Sequence, residues 1–393
     1  MKKHATLAAT ILAIVAVSPA YAMTNTQAMQ LSSAAYKGNV SDLTKLSTAA
    51  KSGDANAQDW LGIYFGSNNN YAKAVYWLQK SADQGYAGAE SLLGNAYNYG
   101  QGVPQNYAKA VYWFQKSADQ GYADAEYNLG AAYYKGHGVP QDYTKAVYWL
   151  QKAANKGIAD AEYGLGNAYY YGHGVPQDYA KAVYWLQKAA NKGIADAEYN
   201  MGAAYYNGQG VPQNYAKANY WYQKAANHGL ALAEYGLGNA YDFGYGVPQN
   251  YAKGAYWSQK AAQQGYADAE CILGAAYSKG HGVPQDYTKA VYWSQKAAQQ
   301  GYADAEYNLG AAYYKGHGVP QDYTKAVYWL QKAANKGIAD AEDGLGNAYY
   351  YGHGVSQSSM KAVYWWKKAA AQGGKIGELA KRNIKIVEHG STQ

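Results

Sequence analysis

Histidine, glutamate and tyrosine recur at fixed places along this 393-residue sequence, and these are the side chains able to do chemistry. His137, His173, His281, His317 and His353 each stand between two glycines in a turn-like Gly-His-Gly-Val run. Imidazole in such a place could bind a metal or carry a proton. Equivalent atoms of stacked units, however, lie about one helix-packing distance apart, roughly 8–10 Å, too far to share one ion. These histidines are therefore expected to be exposed turn residues. Glu90, Glu126, Glu162, Glu198, Glu234, Glu270, Glu306 and Glu342 also recur at one register. Carboxylate catalysis needs two acids in close and unlike surroundings, so a glutamate used eight times is expected to have a repeated structural or solubility role. The sequence holds no H-E-x-x-H, P-loop, G-x-S-x-G or dinucleotide fingerprint. Cys271 is its lone cysteine, which excludes an internal disulfide and a cysteine-based zinc site. No catalytic residue, metal or cofactor is expected.

The element that must position these residues is a 36-residue phrase, clearest at 123–157. Its tryptophan returns nine times without a slip, from Trp77 through Trp149 to Trp365. A fixed period of this size marks a stacked array in which each unit buries its apolar face on its neighbours. Two helices fit within each phrase. In the first, Ala125, Leu129, Ala132, Tyr133 and Gly136 follow the spacing of a buried helical stripe. Gly136 and Gly138 then supply a helix end and a turn with positive φ. In the second, Ala146, Trp149 and Ala153 line the buried side, and either Pro140 or Asp142 marks the start. Lys145 and Lys152 are expected to lay their stems on the surface with their heads in water.

Both ends depart from the phrase. Residues 1–22 combine Lys2 and Lys3, an apolar run over 5–17 and an Ala-Tyr-Ala site, the three parts of a secretory signal. Residues 23–53 read as a worn N-terminal helical cap, 54–373 as the nine repeats, and 374–393 as a closing amphipathic helix and tail. No later segment is apolar enough to span a membrane. The net charge of +7 is spread at the repeat period, and Arg382 is the one arginine. Nucleic-acid binders concentrate basic residues and favour arginine, so no nucleic-acid partner is expected. Residues 124–162 and 304–342 are identical, offset by 180 or five whole repeats. Asparagine alternates between two places in successive copies, as Asn128 and then Asn167, which a duplicated 72-residue block explains.

The paired alanines Ala123 and Ala125, Leu129-Gly130, Tyr133, Gly136, Gly138-Val139, Asp142, Lys145-Ala146, Trp149, Lys152-Ala153-Ala154 and Gly157 resemble the Sel-1-like repeat family, a relative of the tetratricopeptide repeat. The resemblance covers about 53–373. It implies an all-α, right-handed superhelical solenoid of nine helix-turn-helix repeats, in a family whose members mostly act as adaptors or scaffolds. Some exported bacterial members resemble host-interaction or envelope factors. A cysteine-rich branch with reported β-lactam binding or hydrolysis differs from this chain in the cysteines that define it.

The candidate binding surface is the first helix's other face. Tyr127, Ala131, Tyr134 and Lys135 lie about 200° from the buried stripe at ~100° per residue. In the tetratricopeptide relatives this face lines the concave groove, and the carry-over gives two tyrosine rows. One holds Tyr127, Tyr163, Tyr199, Tyr235 and Tyr307; the other holds Tyr134, Tyr170, Tyr206, Tyr314 and Tyr350. Asn95, Asn167, Asn239 and Asn347 sit between them, able to donate and accept. These rows either stand open for binding or pack between repeats. The expected function is a non-enzymatic scaffold, periplasmic or secreted, that holds an extended and preferably acidic protein segment in this groove. The alternatives are a cell-wall glycan or peptidoglycan binder and a β-lactamase-like envelope enzyme.

Overall fold

Aspartate, asparagine or, before the last of them, serine decides where each full second helix begins. The computed structural model describes residues 22–390, all-helical apart from turns; the expected export signal, but for its last residue, and the last three residues lie outside the described residues. Two compact units divide at Gln177. In the first unit the helices are α1 (Asn25–Tyr36), α2 (Val40–Lys51), α3 (Ala55–Ser67), α4 (Tyr71–Ala82), α5 (Ala87–Tyr99), α6 (Tyr107–Asp119), α7 (Ala123–Lys135), α8 (Tyr143–Asn155) and α9 (Ala159–Tyr171). The second unit begins with α10 (Tyr179–Asn191), α11 (Ala195–Asn207), α12 (Tyr215–Asn227), α13 (Ala231–Phe243), α14 (Tyr251–Gln263) and α15 (Ala267–Lys279). It continues with α16 (Tyr287–Gln299), α17 (Ala303–Lys315), α18 (Tyr323–Asn335), α19 (Ala339–Tyr351), α20 (Ser359–Ala371) and α21 (Gly374–Gly390).

Local chemistry sets these boundaries. Asp142 is extended at φ −149°, and its carboxylate accepts from the Lys145 backbone N–H at 2.9 Å. It is the N-cap of α8, which settles the choice between Asp142 and Pro140; the proline lies in the loop before it. Asn106 does the same for α6 and Asn214 for α12, each accepting one of the helix's unpaired N–H groups. Asp54 caps α3, but from α5 onward the first helices have no side-chain cap bond at their start, as at Tyr122 before α7. They end on glycine: Gly136 takes the left-handed conformation at φ 71°, and the following His137 N–H closes on the Ala132 carbonyl at 3.0 Å.

The second glycine of the turn has a different task. A Cβ on Gly138 would collide with the Tyr107 carbonyl at the start of α6, in the preceding repeat. The turn of one repeat is thus pressed onto the first turn of the second helix before it. The core follows the expected stripe. Ala125, Leu129, Ala146 and Ala153 are fully buried, with Leu150 and Trp149 beside them, while Tyr133 is half-buried and packs against this cluster. Burying a leucine of this kind contributes about 1.5–3 kcal/mol.

At the start of the chain α1 and α2 pack together and on α3 around Ala28, Leu46, Ala57 and Leu61. At its end α21 covers Trp366 and Ala369 of α20. In the second unit α15 touches α17 and α17 touches α19. The first helices therefore form the close inner layer of that unit, with the second helices outside them. No helix among the described residues is long and apolar enough to cross a membrane.

Candidate functional site

The inner face is built from one stripe of each first helix. On α7 this stripe carries Asp124, Tyr127, Asn128, Ala131, Tyr134 and Lys135 at helical spacing. Asp124 and Lys135 are exposed at its two ends. Asp160, Asp196, Asp304 and Asp340 repeat the acidic end and are likewise exposed, and Lys279 and Lys315 repeat the basic one. On α7 and α17 the stripe thus has an acidic border, a tyrosine–asparagine middle and a lysine border. On α9 and α19 an aromatic replaces the lysine, α5 and α13 carry Gly88 and Leu232 in place of the acid, and the middle of α15 has neither tyrosine nor asparagine.

The predicted tyrosines are neither fully open nor fully buried. Tyr127, Tyr163, Tyr199, Tyr235 and Tyr307 are half-buried. Smaller residues at this register sink further: Asp59, Ser91, Cys271 and Asp343 are all buried. Tyr199 packs on Tyr222 at 5.6 Å and Tyr235 on Tyr266 at 5.1 Å between ring centroids. Burial raises the Tyr127 and Tyr307 hydroxyls above the ordinary phenol range, with nearby aspartate charge adding to it. Burial pushes the Cys271 thiol up to about 12, which makes it a poor nucleophile.

The second tyrosine row acts as a set of plugs. Tyr134 meets Tyr143 edge-on at 5.0 Å, and its hydroxyl reaches His173 Nδ1 at 3.1 Å. Tyr314 repeats this with Tyr323 at 5.0 Å and His353 at 2.8 Å. Tyr206 lies against Tyr215 and Tyr245, Tyr170 against Tyr171, and Tyr350 against Trp366. Clefts open where the plug is missing. Asn98, Asp242 and Ser278 hold the same register, and each lines a cleft, of about 290, 370 and 360 Å3 respectively. Asn167 and Asn239 are half-buried between the rows; Asn95 accepts from Asn128 at 3.2 Å, and Asn347 donates to Asp343 at 3.0 Å.

His137, His281 and His317 are exposed turn residues, as expected, and His173 and His353 are half-buried, but each of the five stacks on a tyrosine. His137 stacks on Tyr107 at 4.6 Å, His173 on Tyr143 at 4.8 Å and His317 on Tyr287 at 4.4 Å. The reason is the approach at Gly138: pressing the turn onto the preceding second helix lays its imidazole over that helix's first tyrosine. The described residues hold no group of three or more histidine, cysteine or acidic side chains able to take a metal ion. The glutamates have a structural role and no solubilising one. Glu126 is fully buried, and its Oε1 lies 2.7 Å from the Lys156 ammonium and 3.6 Å from that of Lys152. Lys152, expected to keep its head in water, instead sits 4.4 Å over the Trp149 ring. Where Gln120 or Gln300 replaces Lys156, it donates to Glu90 at 2.7 Å or to Glu270 at 2.9 Å. Burial raises the pKa of both these glutamates, against the pull of Lys116 and Lys296.

One surface was missed by sequence reasoning. Tyr148 and its eight equivalents, from Tyr76 to Tyr364, are 51–58% exposed on the outer helices. Each meets the adjacent tryptophan edge-on, at 5.0 Å for Tyr148 and Trp149. The signal was available: with Trp149 on the buried stripe, its neighbour is turned by ~100° toward solvent.

Short helix pairs closed by glycine turns, each pair burying one face on the next, define an α-solenoid of the tetratricopeptide-like class. The Sel1 repeat profile matches nine times, at 55–86, 87–122, 123–158, 159–194, 195–230, 231–266, 267–302, 303–338 and 339–374. The chain belongs to the Sel1 repeat family. It is similar to a Sel1 repeat protein from Oxalobacter formigenes, at 34% identity over 82% of this chain and 93% of that one, with a TM-score of 0.60. It is also similar to a protective antigen of uropathogenic Escherichia coli strains with an SLR fold, at 32% identity over 88% of this chain and 90% of that one, with a TM-score of 0.54. No curated protein matches it. Sel1 and tetratricopeptide-like repeat proteins are generally non-catalytic scaffolds for protein interactions.

Proposed function

We propose that this chain is an exported, non-enzymatic scaffold that binds an extended protein segment along the inner face of its first helices, in the periplasm or outside the cell. The observation that carries this reading is the inner stripe itself, with half-buried tyrosines and asparagines recurring from repeat to repeat and an acidic start on α7, α9, α11, α17 and α19. Tyr127, Tyr163, Tyr199, Tyr235 and Tyr307 offer ring edges and hydroxyls to the segment, and Asn167 and Asn239 offer amides to its backbone. Tyr134, Tyr170, Tyr206, Tyr314 and Tyr350 act as the walls between which it lies. The basic, apolar and Ala-Tyr-Ala start of the chain supports export.

The test is crosslinking capture from envelope and culture-supernatant fractions. Wild type is compared with an inner variant (Tyr163→Ala, Tyr199→Ala, Tyr235→Ala) and an outer one (Tyr148→Ala, Tyr184→Ala, Tyr220→Ala), all folded by circular dichroism. Proteins lost with the inner variant alone support the groove. Equal recovery by wild type and the inner variant removes it.

A second reading, binding of cell-wall glycan, draws on the outer Tyr148 row. Exposed aromatic rings one repeat apart can stack on sugar faces. It requires retention on protease-treated cell-wall material, lost with the outer variant.

A further inference from the structure

We propose that the clefts at Ser278 and Asn98 are anchoring sites for a carboxylate, carried on an acidic side chain of the extended segment. The inference rests on the groove reading and names the chemistry of its anchor points. The cleft at Ser278 lies between α15 and α17 and is lined by Lys279, Lys315, His317, Asn308, Ser294 and Ser278 itself, with no acidic residue among its walls. Five repeats earlier in sequence, the cleft at Asn98 is lined by Lys135, His137, Asn128 and Tyr127, again without an acid. Lys135 and Lys315, Asn128 and Asn308, and His137 and His317 are equivalents under the offset of 180 residues.

Three features point to a carboxylate. First, among the described residues no carboxylate lies within ion-pair distance of the Lys135, Lys279 or Lys315 ammonium. The other lysines lining these stacks are satisfied differently, as Lys152 and Lys156 are by Glu126. Second, Asn308 and the serine hydroxyls add neutral donors, and charge-assisted bonds from such a set are the strong kind. The stacked pair Tyr287 and His317, 4.4 Å apart, forms an aromatic wall for an aliphatic stem. Third, the cleft at Asp242 holds a carboxylate of the protein's own. Asp242 occupies the plug register there beside Lys279 and His281; burial raises its carboxyl to about 6, and the His281 charge offsets part of that rise. The groove's polarity agrees: its acidic border repels an acidic residue at the start of the first helices and leaves the lysine border to receive it.

The probe is a fluorescein-labelled oligoglutamate, with oligoglutamine as control, read by anisotropy on the full chain at low salt. The decisive variant is Asn98→Tyr with Ser278→Tyr. It refills both clefts with the side chain that sister repeats carry at this register and leaves every charge in place. We expect it to weaken oligoglutamate roughly tenfold or more, as loss of one charge-assisted bond requires. Lys279→Met with Lys315→Met should weaken it similarly. Wild-type affinity in the refilled variant overturns the proposal, because lysines elsewhere then hold the probe. Failure of the wild type to prefer oligoglutamate over oligoglutamine also overturns it. Displacement of the probe by free glutamate as effectively as by unlabelled oligoglutamate would assign the clefts to a small anion and overturn the peptide anchor. A partner lost with the inner tyrosine variant but captured fully by the refilled one removes the anchor and leaves the groove. Probe binding lost on refilling, with capture indifferent to the inner tyrosines, does the reverse.

Discussion

The buried Glu126 carboxylate on α7 and the Lys156 ammonium at the end of α8 lie 2.7 Å apart, tying the two helices of one repeat together across the Trp149 side. Lys156 also donates to the Gly121 carbonyl at 2.6 Å, so one cation satisfies both a buried charge and a turn. Removing the cations while leaving the acid strands a charge in the core, which is the expensive way to break such a pair. Lys152→Met with Lys156→Met should therefore destabilise the chain by about 1–3 kcal/mol, the lysines being partly exposed. Glu126→Gln should cost less than that. Urea unfolding of the three proteins checks the order. A larger loss with Glu126→Gln than with the lysine pair would show that the acid is held by something other than these cations.

Asp59 predicts a pH dependence of opposite sign to the usual carboxylate. It is buried on α3, with no partner for its Oδ1 among the described residues. Burial raises it from 3.8 to about 7. The folded state therefore holds a proton that the unfolded chain has already lost between these values. Its contribution is fully present below about pH 4 and is lost as pH rises through about 7. Asp59→Asn should leave stability near pH 4 little changed and raise it at pH 8, by up to about 4 kcal/mol at 1.36 kcal/mol per unit. Thermal unfolding of both proteins at the two pH values tests this. Equal stability gains at pH 4 and pH 8 would sink it.

Two glycines with similar backbone angles should respond very differently to alanine. Gly193 has φ 85° and nothing within 4 Å of the place a Cβ would take, so Gly193→Ala meets only the left-handed penalty, about 1 kcal/mol. Gly138 has φ 78° and lies against the Tyr107 carbonyl, a backbone group that cannot swing aside. Gly138→Ala must push adjacent repeats apart or distort both, and should cost roughly 3 kcal/mol or more. Comparable losses in urea unfolding would mean that the close approach is not what the glycine is for.

The period, the helix pairs and the small-residue core were legible because each is a local pattern repeated in one chain. Leu129 and Ala153 could be placed on a buried face by spacing alone. The helix start was not, because Pro140 and Asp142 both suit a first turn and only the backbone angle at Asp142 separates them. Tyr127 and Tyr134 could be assigned to one face but not to a degree of burial. That depends on how closely the next repeat approaches, which is set by contacts some 30–40 residues away, such as Tyr134 with His173. The histidine stacks were illegible for the same reason: they follow from the turn at Gly138 closing on another repeat's helix. The clefts could be seen only after the plug role of Tyr134 was known, since Asn98 and Ser278 look like drift in the sequence.

That plug role makes a prediction at a site where the tyrosine is in place. Tyr314 fills its register in the second unit, edge-on to Tyr323 and bonded to His353. Tyr314→Phe keeps the ring and loses only the hydroxyl bond, so it should cost about 0.5–1.5 kcal/mol. Tyr314→Ser removes the ring and copies the residue found at Ser278. It should cost more, about 2–4 kcal/mol, since the surrounding repeats relax only partly around an emptied aromatic site. It should also open a cleft comparable to the 360 Å3 one at Ser278. Urea unfolding gives the energies, and a crystal structure of Tyr314→Ser gives the cleft. If Phe and Ser cost the same, the ring does not hold the repeats apart, and the missing tyrosines at Asn98 and Ser278 are not what opens the clefts there.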